Sequence, residues 1–156
     1  MAWDTKRGQI LEALMARVRA MTIADGYHYD VKATSVTCEP LNILLVPGPE
    51  LPFFLVELSP GNRNYWPANQ IEVFSRFVVT WRVDTAGTNP LRKMQAGENM
   101  IGDLERTFEA DITLGGLAFD LRMDEPDGPI VGLGSDPKAV GLVELVAHHH
   151  REYGLP

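Results

Sequence analysis

Cysteine is nearly absent: Cys38 stands alone among 156 residues, so neither an internal disulfide nor a zinc site built on paired thiolates is possible. Such a chain fits a reducing compartment. Positive charge is also in deficit, with 14 Lys and Arg against 21 Asp and Glu and a formal charge of −7. Groove-binding domains concentrate basic residues to displace counterions from phosphate, and this balance argues against nucleic-acid binding as the main task. Long apolar runs are missing as well. The longest, Ile43 to Pro49, falls far short of the roughly 18 to 20 residues a membrane span needs. Asp4, Lys6, Arg7 and Glu12 interrupt the start before a signal-peptide core develops. Neither secretion nor a membrane partner is expected.

What is present is an ordinary globular composition, 45% hydrophobic and 22% charged, in a chain long enough to bury about 70% of its unfolded surface. No repeat, charge block or low-complexity tract divides it, so residues 1–156 read as a single domain. Ile10, Leu11, Leu14, Val18 and Met21 recur at spacings of three and four, which predicts a helix from Asp4 to Met21, capped by Asp4 or Thr5 and stopped at Gly26. Tyr27, Tyr29 and Val31 alternate with polar residues, and Val36 and Thr37 continue the pattern, predicting a strand. Phe53 to Leu58 is apolar on both faces and reads as a central strand.

Ser59 to Pro67 has the residues of a long turn, yet holds Tyr65 and Trp66, two large aromatics a solvated loop has no need of. They are the first interface candidates. From Ile71 to Val83 the odd positions are apolar except Ser75, while Glu72, Arg76, Thr80 and Arg82 are polar. An extended segment of that length reaches about 43 Å, so its hairpin is expected to project as a β-arm. Asn89-Pro90 opens a second helix to about Phe108, with Leu91, Met94, Ile101, Leu104 and Phe108 on one face. Gly97 and Gly102 inside it each cost roughly 1 kcal/mol relative to alanine. One further helical turn is expected over Asp111 to Leu117, extended chain over Ala118 to Met123, a turn at Asp124 to Pro129, and an internal strand from Ala139 to His150. The fold class is α+β: a mainly antiparallel sheet, two main helices packed on one face, and a projecting hairpin arm.

Few residues offer chemistry. On a strand, His148, His150 and Glu152 face one way, within reach of a common metal ion. A metal site also needs ligands converging from other strands and an outer shell, and a polar strand end at the rim accounts for the run without them. No metal, cofactor or catalytic residue is assigned. Asp124, Glu125, Asp127 and Asp136 offer carboxylates for acid–base work but fall in a Pro/Gly turn region where solvated charge is the usual state. Cys38 reads as a small buried hydrophobe. Gly132 to Lys138 lacks the Lys-Ser/Thr ending and following helix of a phosphate loop.

Three stretches together resemble the tail terminator, or tail completion, proteins of long-tailed bacteriophages, of the minor tail protein U type. They are Ile10-Leu11-Glu12-Ala13-Leu14 running into Asp25-Gly26-Tyr27, then Ala110-Asp111-Ile112-Thr113-Leu114-Gly115-Gly116-Leu117-Ala118, and the ending His150-Arg151-Glu152-Tyr153-Gly154-Leu155-Pro156. The middle phrase is the most specific. The Ser59 to Gln70 stretch and the histidine run depart from the family pattern. The resemblance implies a non-enzymatic virion protein, assembled in the host cytoplasm, that closes into a homohexameric ring on the last ring of tail-tube protein. There it would end polymerisation and present a surface to the head connector, with DNA passing through its lumen unbound. An acidic lumen suits a conduit; a basic wall built from Arg63, Arg76 and Arg82 would instead grip DNA. The alternatives are another head–tail connector or neck protein, or a small metal-binding enzyme using His148 to His150.

Overall fold

The computed structural model describes residues 5–66, 70–85 and 87–152. Its elements are α1 (Lys6–Arg19), β1 (Val36–Thr37), β2 (Phe53–Trp66), β3 (Gln70–Asp84), α2 (Pro90–Glu109), β4 (Asp120–Met123), β5 (Asp127–Val131) and β6 (Lys138–Glu152). The strands form one sheet in the order β1-β2-β3-β6-β4, with β5 also pairing β6, and every pairing except β1 with β2 is antiparallel. This is the α+β architecture expected.

Helix α1 starts where Thr5 Oγ1 accepts the amide of Gly8 at 3.1 Å, satisfying one of the orphan donors of the first turn; Asp4 lies outside the described residues. Its stripe Ile10, Leu11, Leu14 and Val18 is buried; the helix ends at Arg19, short of the expected Met21, which is buried just beyond it. Helix α2 is capped by the Asn89 carboxamide, which accepts the amide of Leu91 at 3.0 Å. Its inward stripe differs from the expected one: Leu91 and Met94 are exposed, while Lys93, Ala96, Gly97 and Met100 join Ile101, Leu104 and Phe108 inside. Both helices meet the odd positions of β3, Phe77 to Val83, together with Phe54, Val56, Val143 and Leu145 in one core.

Gly97 explains why α2 tolerates a poor helix former. A Cβ there would run into the ring of Pro129 and lie 3.3 Å from Trp81. Gly97→Ala is therefore expected to destabilise by about 1 to 2 kcal/mol, since overpacking outweighs the gain in helix propensity. Chemical denaturation checks this; a stabilised variant would show that β5 moves freely away from α2.

Several expectations are corrected. The segment Tyr27 to Ser35 is not a strand but irregular chain, bent at His28 and Tyr29 and closing in one 3-10 turn at Ala33–Ser35, with only Val36 and Thr37 pairing β2. Long-range polar contacts hold it: Asp103 on α2 accepts the His28 amide at 2.9 Å and meets His28 Nδ1 at 2.7 Å, and the Tyr29 hydroxyl donates to the Ala96 carbonyl at 3.0 Å. Burial first, then the Asp103 charge, pushes the Tyr29 phenol up to about 12. β2 lies not at the sheet's centre but next to its short edge; Phe54 and Val56 enter the core, while buried Phe53 lies opposite Arg82, the residue to which the 43–46 segment is bound. Ser59 to Trp66 continues β2 rather than forming a turn; Pro60 and Gly61 form a bulge between Ser59 and Asn62, where a Cβ on residue 61 would strike the Phe74 carbonyl. β5 begins inside the expected Asp124 to Pro129 turn.

Asp111 to Leu117 is a run of turns, not a helical turn. The Asp111 carboxylate organises it, accepting the Thr113 amide at 3.0 Å, the Thr113 hydroxyl at 2.6 Å, the Gly115 amide at 2.9 Å and Arg17 at 2.8 Å. These hydrogen bonds, the Thr113 hydroxyl's first, hold its pKa down to about 2. A carboxylate depressed on folding stabilises above its ordinary pKa, and that contribution disappears as pH falls toward the folded value. Asp111→Asn should therefore lower the thermal midpoint at pH 6, with the gap to the parent closing between about pH 4 and pH 2. A gap independent of pH would contradict the assignment.

Candidate functional site

The part of the molecule left unexplained by its own core is the far end of the sheet. There β2 from Asn62 to Trp66 pairs β3 from Gln70 to Phe74, and β6 runs beside β3 to the last pair, Gln70 with Glu152. The expected free hairpin is thus a three-stranded ribbon. β1 covers the outer edge of β2 only at Phe54 and Leu55; among the described residues, the backbone edge beyond them has no neighbouring strand. Leu58, Tyr65 and Trp66 on that strand are 46%, 63% and 46% exposed.

Register assigns faces. Tyr65 is opposite Ile71 and Arg63 opposite Val73, on the helix side; Trp66 is opposite Gln70, on the other side, and approaches His150 at 5.5 Å between ring centroids. Tyr65 and Trp66 therefore do not form one patch; each presents an aromatic to a different face of the same edge.

The three arginines do not form a basic wall either. Arg82 is buried, its guanidinium donating to the carbonyls of Ile43, Leu44 and Val46 at 3.2, 2.9 and 2.9 Å while pairing Asp84 at 3.0 Å. It is removed as an interface candidate: the segment over the outer face converts an apparently solvent-facing position into an anchor. Arg76 lies on the outer face between Asp124 at 3.6 Å and Glu144 at 4.0 Å. Arg63 is exposed on the opposite face.

A groove of about 500 Å³ separates the N-terminal turn of α1 from this ribbon, lined by Lys6, Arg7, Arg63 and Arg151 around Ser75 and His149. Arg7 donates to the Ser59 carbonyl at 2.6 Å, tying α1 to the start of the bulge. His149 is buried, with Nε2 2.9 Å from Ser75 Oγ. Burial, then the positive charge of Lys6, holds its pKa down to about 4, so it is neutral at pH 7.

His148 and His150 lie on the outer face. Glu72, directly across from His150 on β3, joins them there. The third potential ligand is thus Glu72 on another strand, and the Glu152 side chain expected in this role lies outside what is described. Of the carboxylates considered for acid–base work, Asp124 serves Arg76 and Asp136 pairs Lys138 at 3.1 Å. Cys38 is half-buried against the core. Gly132 and Gly134 turn carbonyls, not amides, inward, and buried Lys93 Nζ donates to them at 3.0 and 2.8 Å. That polarity suits a cation, opposite to what a phosphate requires.

No protein-family model matches the chain, and no curated protein matches it. No helix among the described residues is long and apolar enough to cross a membrane.

Proposed function

We propose that the chain is a structural, non-catalytic subunit of a long-tailed phage: a tail terminator that forms a homohexameric ring at the head-proximal end of the tail tube, ends tube polymerisation and provides the surface for the head connector. The reading rests on the resemblance carried by Asp111 to Ala118 and on one observation, the long edge of β2 that carries exposed Leu58, Tyr65 and Trp66. A strand edge with no neighbouring strand among the described residues and with large apolar side chains is a liability in a monomer and a ready joint between copies or with another protein's strand. Repeated head-to-tail use of such a joint closes a ring when the rotation per copy fits. Deleting the gene from the phage is the direct test. Loss of a terminator leaves tube growth unchecked, so overlong, headless tubes are expected; normal-length tails beside intact heads would instead support a neck protein.

The lumen would let DNA slide. In support, the net charge is −7 per copy, Arg82 is withdrawn into the fold and Arg76 sits between two carboxylates, so Arg63, Arg76 and Arg82 do not combine into one wall. Fluorescence anisotropy with duplex DNA at low salt should show no binding. Tight, salt-sensitive binding would contradict a passive conduit.

A further inference from the structure

We propose that Glu72, His148 and His150 form a binding site for one zinc(II) ion on the outer face of the ribbon, bridging β3 and β6. Register brings the ligands together: Glu72 and His150 are a cross-strand pair, and His148, paired with Phe74, precedes His150 by two residues on the same face. One ligand atom from each lies within 4.8 Å of the others. His148 Nε2 is 2.8 Å from Glu72 Oε1.

The nitrogens explain why an ion pair does not complete this cluster. The Nε2 atoms of both His148 and His150 are buried without a hydrogen-bond partner, so the approach of His148 to Glu72 lacks hydrogen-bond geometry. Protonating His148 to pair with the carboxylate still leaves His150 unsatisfied. A metal ion accepts both lone pairs and neutralises the carboxylate in one step. Tetrahedral zinc, with bonds of about 2.0 to 2.2 Å, sets neighbouring ligand atoms about 3.3 Å apart, which small rotations of these side chains supply.

The surroundings fit such a role. Phe74 stacks on the His148 ring at 4.6 Å, and Phe119 meets the His150 ring edge-on at 4.6 Å, so both imidazoles are held in place by packing. The Asn64 carboxamide donates to Glu72 Oε2 at 3.2 Å, leaving Oε1 toward the histidines, as an outer-shell partner does. Asp120, the nearest acid on β4, is held by Arg122 at 3.2 Å. Two imidazoles and one carboxylate select a borderline ion such as zinc over magnesium or calcium, and three protein ligands leave a fourth position for water. The ion would lock the ribbon beside Trp66. It is independent of the assembly role.

Isothermal titration of the EDTA-treated full chain with zinc chloride tests the site. One zinc per chain is expected, uncompeted by millimolar magnesium, with 15N histidine spectra showing ligation at Nε2 of His148 and His150 but not at His149. Glu72→Gln and His150→Ala should each weaken binding at least tenfold, whereas Glu144→Gln, on the same face but away from the cluster, should leave it unchanged; circular dichroism verifies that each variant is folded. No saturable binding by the parent, or binding undiminished in folded Glu72→Gln, would overturn the proposal, the latter because the histidine run alone would then be chelating.

Discussion

Arg82→Ala is expected to destabilise the fold by about 3 kcal/mol, the range found when one member of a buried charged network is removed. The arginine donates to the carbonyls of Ile43, Leu44 and Val46 and pairs with Asp84. Truncation leaves these acceptors without their donor and uncovers Phe53, its cross-strand neighbour. Arg82→Lys should recover only part of the loss, because one ammonium cannot reproduce a planar fork that serves a carboxylate and three carbonyls together. Urea denaturation of parent and variants measures the difference. A loss below 1 kcal/mol for Arg82→Ala would mean that water replaces the guanidinium at little cost.

The largest effect on assembly is expected from the edge of β2. Tyr65→Ala combined with Trp66→Ala removes aromatic area from both faces of that edge, and neither residue belongs to the buried core. Buried Tyr and Trp are frequent anchors of protein interfaces, where truncation costs 2 kcal/mol or more each. A loss of at least tenfold in correctly terminated tails follows at that magnitude. Trp66 also approaches His150, so a small fall in thermal midpoint is expected alongside. Complementation of a gene deletion by the double variant, scored by electron microscopy, checks the yield. A large loss of stability in step with the loss of tails would assign these aromatics to local packing.

How far the sequence disclosed this architecture depended on whether the decisive contacts were local. The spacing of Ile10, Leu11, Leu14 and Val18 described the inner face of α1, because a helix repeats its environment every three or four residues. The alternation from Ile71 to Val83 likewise described β3, whose odd positions are buried. Tyr27 to Ser35 alternates in the same manner yet is not a strand, since its fixing contacts come from Asp103 and Ala96 on a distant helix. Proline and glycine at positions 60 and 61 signalled an interruption, and the chain answers with a bulge inside a strand. Arg82 occupies a polar position of an alternating strand; nothing in that strand reveals that residues 43–46 lie over it.

The candidate sites divide along the same line. Tyr65 and Trp66 were visible as aromatics out of place among turn residues, and they remain exposed. Their separation onto opposite faces required the register. Glu72 was one more polar residue in an alternating pattern. Its convergence with His148 and His150 depends on pairing strands far apart in sequence, which local spacing does not encode.

Cryo-electron microscopy of phage particles containing this chain decides whether it forms a ring that closes the tail tube. Six copies of the α+β subunit are expected in one ring between the last tube ring and the head connector, with the β2 edge buried against a neighbouring subunit or the tube. Density for the chain elsewhere in the particle, or none on the tail axis, would contradict it.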